Sequence, residues 1–327
     1  MNNGQKPRLL IARAIFPQVI ERLQQYFEVE HNQDDVMWTP QQLQQRLQDK
    51  LALFATPSEK IDAALLDACP NLRMLGLMAV GFNNVDLSQA TKNRVMVSNT
   101  PDVLTETTAD FGWALMLAAA RRVTESEHWL RAGHWQNWRY DSFLGVDLYR
   151  STLGILGMGR IGQAIARRAS GFQMQVLYHN RRHLSPEQEQ TLNARWVSKE
   201  ELLKQADHLI LMLPYSSATH HTLGAAELAL MKPTSVLVNL ARGGIVDDVA
   251  LCAALREGKI AAAGLDVFEN EPRLLPDFLS LKNVVLTPHI ASASTATRQA
   301  MAMCAVDNLV AMVQEGKPRN WVNPFSA

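Results

Sequence analysis

The sequence predicts an α/β protein built from two doubly wound parallel sheets, and three observations carry that reading. Short apolar runs of strand length alternate with helical patterns almost from end to end, the signature of βα units. Those runs are close to continuously apolar, as strands covered by helices on both faces must be. The alternation falls into two blocks, one before residue 103 and one from residue 152, and 327 residues suffice for two cores of ordinary size.

In the first block RLLIA (8–12) is a strand, followed by a helix near 17–27, an FEVEH strand and a helix that starts at Thr39. Thr39 suits an N-cap, and Pro40 suits the first helical position, where an N–H would have no partner anyway. LALFAT (51–56), LRMLGLMA (72–79) and RVMVSN (94–99) are further strands, with the helix IDAALLDAC between the first two. Two helices then follow in succession, 105–120 and 122–132. From residue 152 the strands are TLGILG, QVLYHN, HLILMLP, SVLVNL, AAAGLDVF and NVVLTPH. Helices near 160–170, 199–205, 225–231 and 247–257 connect most of them, and a last helix occupies 294–315.

Lys plus Arg and Asp plus Glu are equal at 32 each, so no net field draws the chain to nucleic acid or to an anionic membrane. No apolar run approaches the length that spans a bilayer. The N-terminal MNNGQKPRLLIARAIF is too polar at first, and too short in its apolar part, for a secretory signal. Cys69, Cys252 and Cys304 lie far apart with no metal-ligand spacing, and read as buried thiols of a reducing compartment. The expectation is a cytoplasmic protein with no metal.

Residues 153–162 run from an apolar strand straight into Gly157-Met158-Gly159-Arg160-Ile161-Gly162, and the helical pattern IGQAIARRA follows at once. Gly157 permits a tight turn, Gly159 lets backbone approach a pyrophosphate, and Gly162 allows close helix–strand packing. The helix N-terminus offers N–H groups and a positive dipole to phosphates. A bare glycine cluster marks an ordinary turn. The strand before it, the helix after it and a polar group of residues about 18 further on point to dinucleotide binding.

Ligands of such sheets sit beyond the carboxyl ends of strands, and three strand ends carry distinctive groups. SVLVNLARGGIVDD leaves Arg242 just past a strand, GLDVFENEP places Asp266 near a strand end and Glu271 in the loop, and NVVLTPHIASAS ends a strand with His289. A histidine paired with a carboxylate is an effective general acid. An arginine supplies the planar fork that grips a carboxylate and polarises a neighbouring carbonyl. Taken singly, a strand-end arginine is as often structural, a histidine is more often a satisfied interior group, and a glutamate before proline is usually a turn residue. Spacing alone does not bring the three together.

Taken in order, these segments resemble the D-2-hydroxyacid dehydrogenase family over essentially the whole chain, and within it the bacterial glyoxylate/hydroxypyruvate reductases, also called 2-ketogluconate reductases. The resemblance implies NAD(P)-dependent reduction of a small 2-oxo acid to the D-2-hydroxy acid. Arg242 would be the substrate-binding arginine and His289 the acid–base histidine, with Glu271 as its partner. The substrate-carboxylate loop falls on MAVGFNNVD (78–86), with the Val80 and Gly81 amides as donors and Ser292 near His289 as a further substrate contact. Cofactor contacts would come from the 157–162 glycine turn, from Asn180, Arg181 and Arg182, and from Pro214, Ala241 and Asp266.

The same resemblance implies a Rossmann-like dinucleotide domain (104–289) inserted in a flavodoxin-like substrate domain (1–103 and 290–327), and a homodimer. Trp129, Trp135 and Trp138 cluster in HWLRAGHWQNW. Packing at a helix corner suits Trp129, while Trp135 or Trp138 would border the partner's active site. Phe82-Asn83-Asn84 stands where many relatives have Tyr-Asp-Asn. Glu271, in place of the glutamine of formate dehydrogenases, argues against formate. Two alternatives remain: another dehydrogenase of the family, of phosphoglycerate or phosphite type, and a non-catalytic dinucleotide-sensing interaction protein.

The strand QVLYHN ends in His179-Asn180-Arg181-Arg182-His183. NAD-selective sites place a carboxylate at such a strand end, where it accepts from the ribose hydroxyls and repels a 2′-phosphate. Here that position is His179, and no acid follows until Glu187. Arg181 and Arg182 suit a phosphate, so NADPH is expected in preference to NADH. The plainer reading is a basic surface loop.

Overall fold

A computed structural model describes residues 6–325; residues 1–5, which open the stretch screened for a signal sequence, and residues 326–327 lie outside the described residues. The chain divides into two units, Met1–Leu104 with Ser294–Ala327, and Thr105–Ala293.

The first unit runs β1 (Arg8–Ile11), α1 (Pro17–Gln24), β2 (Glu28–His31), α2 (Pro40–Leu47), β3 (Ala52–Ala55), α3 (Ala63–Ala68), β4 (Met74–Leu77), α4 (Leu87–Lys92) and β5 (Met96–Ser98). Thr39 caps α2 through a full capping box with Gln42. The five strands lie in the order β2-β1-β3-β4-β5 and every neighbouring pair is parallel. That is the flavodoxin-like order, with its reversal between β1 and β3. Leu10, Leu53, Leu75 and Val97 are fully buried, whereas the edge strand β2 buries no residue.

The second unit contains α5 (Thr105–Ala120), α6 (Val123–Arg131), β6 (Thr152–Leu156), α7 (Arg160–Ala169), β7 (Gln175–His179), α8 (Pro186–Leu192), β8 (Ala194–Trp196), α9 (Lys199–Gln205), β9 (His208–Leu211), α10 (Ala225–Leu228), β10 (Val236–Asn239), α11 (Asp248–Arg256), β11 (Ala262–Leu265) and β12 (Val284–Leu286). Its sheet is again wholly parallel, in the order β12-β11-β10-β9-β6-β7-β8. Counted from β6 this is the Rossmann order 3-2-1-4-5-6 with one strand added, and the order reverses between β6 and β9. Tyr178 and Ile155 are fully buried. Trp113 of α5 stacks on Phe172 at 4.7 Å and donates its indole N–H to the Ile165 carbonyl at 3.2 Å.

The last helix, α12 (Thr295–Gln314), returns to the first unit. It packs so closely on β4 that a Cβ on Gly76 would lie 2.7 Å from Leu309 Cγ. The residues after α12 are tied to β5 through Asn323, whose Oδ1 accepts from the Val97 N–H at 2.8 Å.

All the predicted strands are present, trimmed at their ends where the ladder stops and the chain turns. Three elements escaped the sequence reading: α4, α8 and β8. For α8 the signal was there, since Ser185 and Gln188 form a capping box with Pro186 at the first turn. β8 is Ala-Arg-Trp and α4 is LSQATK, with Ala90 its one buried residue, so neither carries an apolar run. No helix among the described residues is long and apolar enough to cross a membrane.

Candidate active site

The glycine turn lies between β6 and α7. Gly157 sits at φ +107°, and a Cβ there would come within 2.7 Å of the Met212 carbonyl carbon; a Cβ on Gly162 would lie 2.4 Å from the Gly157 oxygen. Both positions therefore exclude any larger residue. At Gly159, by contrast, a Cβ would meet nothing within 4 Å, and this N-cap residue offers α7 no side-chain cap. The open surface and the uncapped helix N-terminus fit a pyrophosphate. Met158 buries its side chain, and its N–H donates to Asn180 Oδ1 at 2.7 Å. Arg160 is exposed and Ile161 half-buried on the first turn of α7.

The basic segment after β7 is held at both ends. Trp196 Nε1 donates to the Asn180 carbonyl at 3.0 Å. The Leu184 N–H donates to the Tyr178 hydroxyl at 2.8 Å, and that hydroxyl donates onward to Glu189. Burial and the Glu189 carboxylate push the Tyr178 phenol up to about 12, so it remains a neutral donor. Between these anchors Arg181, Arg182 and His183 are exposed, with the His183 ring stacked on Trp196 at 4.2 Å. Among the described residues neither arginine has a hydrogen-bond or ion-pair partner. His179 turns its Nδ1 to the Val197 carbonyl at 2.8 Å.

Beyond the carboxyl ends of β10, β11 and β12 the three expected groups converge. His289 Nδ1 lies 2.8 Å from Glu271 Oε2, and the Phe268 N–H donates to Glu271 Oε1 at 3.0 Å. Burial pushes the Glu271 carboxyl up, but the His289 hydrogen bond and charge, the Phe268 N–H and Arg242 together hold it below its ordinary value. Glu271 is therefore an ionised acceptor and Nδ1 the donor, which leaves Nε2 as the second ring nitrogen. Arg242 is driven the other way: burial lowers it, and the Glu271 charge offsets part of that cost. Its Nη1 donates to the Ala241 carbonyl at 2.7 Å. Asn239 ends β10 and shapes the turn, accepting from the Ala241 N–H at 3.0 Å and donating to the Arg242 carbonyl at 3.1 Å.

Asp266 is buried, and both its oxygens hold the turn that carries His289. Oδ1 accepts from Thr287 Oγ1 at 2.7 Å and the Ile290 N–H at 2.8 Å, and Oδ2 accepts from the Ala291 N–H at 2.8 Å. His289 itself has a left-handed backbone, φ +55°. Ser292 is half-buried just after it. Pro214 is exposed, and its carbonyl accepts from Thr219 Oγ1 at 2.9 Å; Ala241 is buried. Sequence reasoning missed Asn239 and Trp196, because each acts through the backbone of a neighbouring segment.

In the first unit the loop after β4 is pinned by asparagines. Asn99 Nδ2 donates to the Val80 carbonyl at 2.8 Å, and Asn84 Nδ2 donates to the Glu59 carbonyl at 2.8 Å. Among the described residues the Val80 and Gly81 N–H groups meet no acceptor. In the second unit Trp129 meets Phe143 edge-on at 5.3 Å, whereas Trp135 and Trp138 are 62% and 79% exposed.

A Rossmann-ordered sheet with an open glycine turn at its first helix, and a His–Glu–Arg group at its strand ends, defines an NAD(P)-dependent oxidoreductase. The profile of the D-isomer specific 2-hydroxyacid dehydrogenase NAD-binding domain matches residues 113–291. A glyoxylate reductase from Thermococcus gammatolerans is 46% identical over 322 residues, covering 97% of this chain and 96% of that protein. The crystal structure of a glyoxylate reductase from Paecilomyes thermophila superposes with a TM-score of 0.88 at 32% identity, over 98% of this chain and 99% of that one. That of an NADPH-dependent glyoxylate/hydroxypyruvate reductase from Sinorhizobium meliloti, in complex with NADP and malonate, does so at 0.87 and 36% identity, over 99% of each chain. The chain belongs to the D-isomer-specific 2-hydroxyacid dehydrogenase family.

Proposed function

We propose that the protein reduces glyoxylate and hydroxypyruvate, with 2-ketogluconate as a further substrate, to the D-2-hydroxy acids, using NADPH in preference to NADH. The observation that carries this reading is the His289–Glu271 pair at 2.8 Å with Arg242 beside it. The names of the similar reductases supply the substrate class. Bound nicotinamide supplies the hydride. Arg242 grips the substrate carboxylate and draws charge from the carbonyl, and His289 Nε2 gives its proton to the carbonyl oxygen as the oxygen becomes negative. Glu271 fixes the imidazole tautomer and offsets its charge. The Val80 and Gly81 N–H groups are assigned to the substrate carboxylate, with Ser292 as a further contact.

The second unit is the dinucleotide-binding part and the first the substrate-binding part. The turn 157–162 takes the pyrophosphate, Arg181 and Arg182 take the 2′-phosphate, and Asn180, Pro214, Ala241 and Asp266 line the rest. The absent acid at His179 and two arginines without a partner among the described residues support NADPH. Val123, Leu130, Trp135, Trp138, Tyr140 and Leu144 expose at least half their surface within one segment, which supports a homodimer built on that face. Three free cysteines, two of them buried, suit the cytoplasm.

The test is kcat/KM for glyoxylate, hydroxypyruvate and 2-ketogluconate with each reduced cofactor, alongside 3-phosphohydroxypyruvate. Turnover of glyoxylate with NADPH is expected. A preference for the phosphorylated acid would transfer the protein to the phosphoglycerate type, and no turnover of any 2-oxo acid would leave a dinucleotide-sensing role.

A further inference from the structure

The loop that carries Glu271 bears a second glutamate two residues earlier, and that residue also faces a histidine. Glu269 Oε1 lies 2.5 Å from His221 Nε2. The Glu269 N–H donates to Asp248 Oδ2 at 3.1 Å, so this residue is tied by both its backbone and its side chain. Alternate positions of one short loop thus serve two histidines: Glu269 binds His221 on the segment after β9, and Glu271 binds His289 after β12. Asn270 turns between them with a left-handed backbone, φ +62°.

His221 is itself held in an unusual way. Its backbone is left-handed at φ +48°, which costs a non-glycine residue on the order of 1 kcal/mol or more and persists only where the surroundings enforce it. Its N–H donates to the Gly244 carbonyl at 2.7 Å, and its Nδ1 lies 3.9 Å from Asp247 Oδ2. His220 stacks on its ring at 3.8 Å. The Gly243 backbone also packs against this loop, so tightly that a Cβ there would lie 1.7 Å from the Phe268 oxygen. His221 therefore connects the segment after β9, the turn that carries Arg242 and the loop that carries Glu271.

We infer that His221 and Glu269 form a second histidine–glutamate pair that positions Glu271 against His289, linking the segment after Pro214 to the proton donor. Neither residue is assigned to substrate. Both act through the loop 268–271, and the inference rests on the proposed roles of Glu271 and His289. Because a displacement of about 1 Å in a proton-transfer pair can cost on the order of 100-fold in rate, loosening Glu269 lowers turnover without emptying the cofactor site.

The experiment compares His221→Ala, His221→Gln and Glu269→Ala in the full chain, with His289→Ala as reference. The readouts are kcat, KM and the pH–rate profile with glyoxylate, and the Kd of NADPH from its fluorescence. His221→Ala is expected to lower kcat about 10- to 100-fold and to move the pH–rate profile, with the NADPH Kd within about twofold of the parent. His221→Gln, whose amide can still donate to Glu269, restores most of kcat. If His221→Ala fails to fold by circular dichroism, Glu269→Ala decides by the same readouts. A kcat and pH profile equal to the parent's in the folded variant, or equal losses in the alanine and glutamine variants, would overturn the inference. Near-normal turnover in His289→Ala would instead overturn the reading beneath it.

Discussion

Glu271 Oε2 and His289 Nδ1 meet at 2.8 Å, although the two residues leave different strands of the sheet. The contact engages Nδ1 at one edge of the imidazole and leaves Nε2, the nitrogen proposed to give the proton, at the opposite edge. His289→Ala is expected to lower kcat about 10²- to 10⁴-fold with the NADPH Kd preserved. Glu271→Gln should move the basic limb of the pH–rate profile to lower pH, because an amide does not favour a protonated imidazole as a carboxylate does. Steady-state kinetics across pH 5–9 checks both. Near-normal turnover in the alanine variant removes His289 from the mechanism, and an unmoved limb dissolves the pair.

Arg242 is half-buried beside Glu271, and desolvation lowers its hold on the proton while its carboxylate neighbour supports it. A guanidinium in this position offers a planar fork, which the single ammonium of lysine does not reproduce. Arg242→Lys is expected to lose at least about 10-fold in kcat/KM for glyoxylate, with the loss much smaller for an uncharged ketone. Equal losses on both substrates would argue that the residue supports the loop and does not bind the carboxylate.

The trio was legible residue by residue at strand ends, because parallel sheets gather such ends along one edge whatever the loops between them do. Sequence spacing gave neither the His289–Glu271 distance nor the role of Asp266. Asp266, proposed to line the cofactor site, also accepts hydrogen bonds at both oxygens from the turn that holds His289. His221 and Glu269 were invisible for a related reason. Their partners lie on separate loops, and nothing in the spacing of THHT and FENE points from one to the other. Most strands were plain because burial on both faces writes itself into consecutive apolar residues, the exception being the edge strand β2, EVEH. The Ala-Arg-Trp of β8 and the LSQATK of α4 leave no such trace, since polar residues interrupt both.

Asn180 and Leu184 are both anchored, so Arg181 and Arg182 project from a segment whose ends are fixed. A phosphate bound there meets two guanidinium groups with no competing carboxylate partner among the described residues. The Arg181→Ala, Arg182→Ala double variant is expected to lose about 10- to 100-fold in kcat/KM with NADPH and little with NADH, as for two charge-assisted bonds at about 1.5–3 kcal/mol less solvent screening. An unchanged ratio of the two cofactors would overturn the assignment, as would a wild-type preference for NADH.

Asp248, the buried first residue of α11, gives a prediction about stability. Burial pushes its carboxyl from 3.8 up to about 6, with the Glu269 and Asp247 charges adding and the Glu269 N–H and His221 opposing. A carboxyl raised in the folded state binds its proton more tightly there than in the unfolded chain. Its contribution to stability is therefore complete below about pH 4, is lost as the pH rises toward about 6, and stays lost above that. The difference is on the order of 2–3 kcal/mol. Asp248→Asn is uncharged at every pH and keeps an oxygen to accept the Glu269 N–H. It is expected to raise Tm by several degrees over the parent at pH 7.5 and by much less at pH 4.5, measured by calorimetry at both pH values. A variant equally stabilised at the two pH values, or destabilised at pH 7.5, would show that the charged carboxylate is accommodated there without cost.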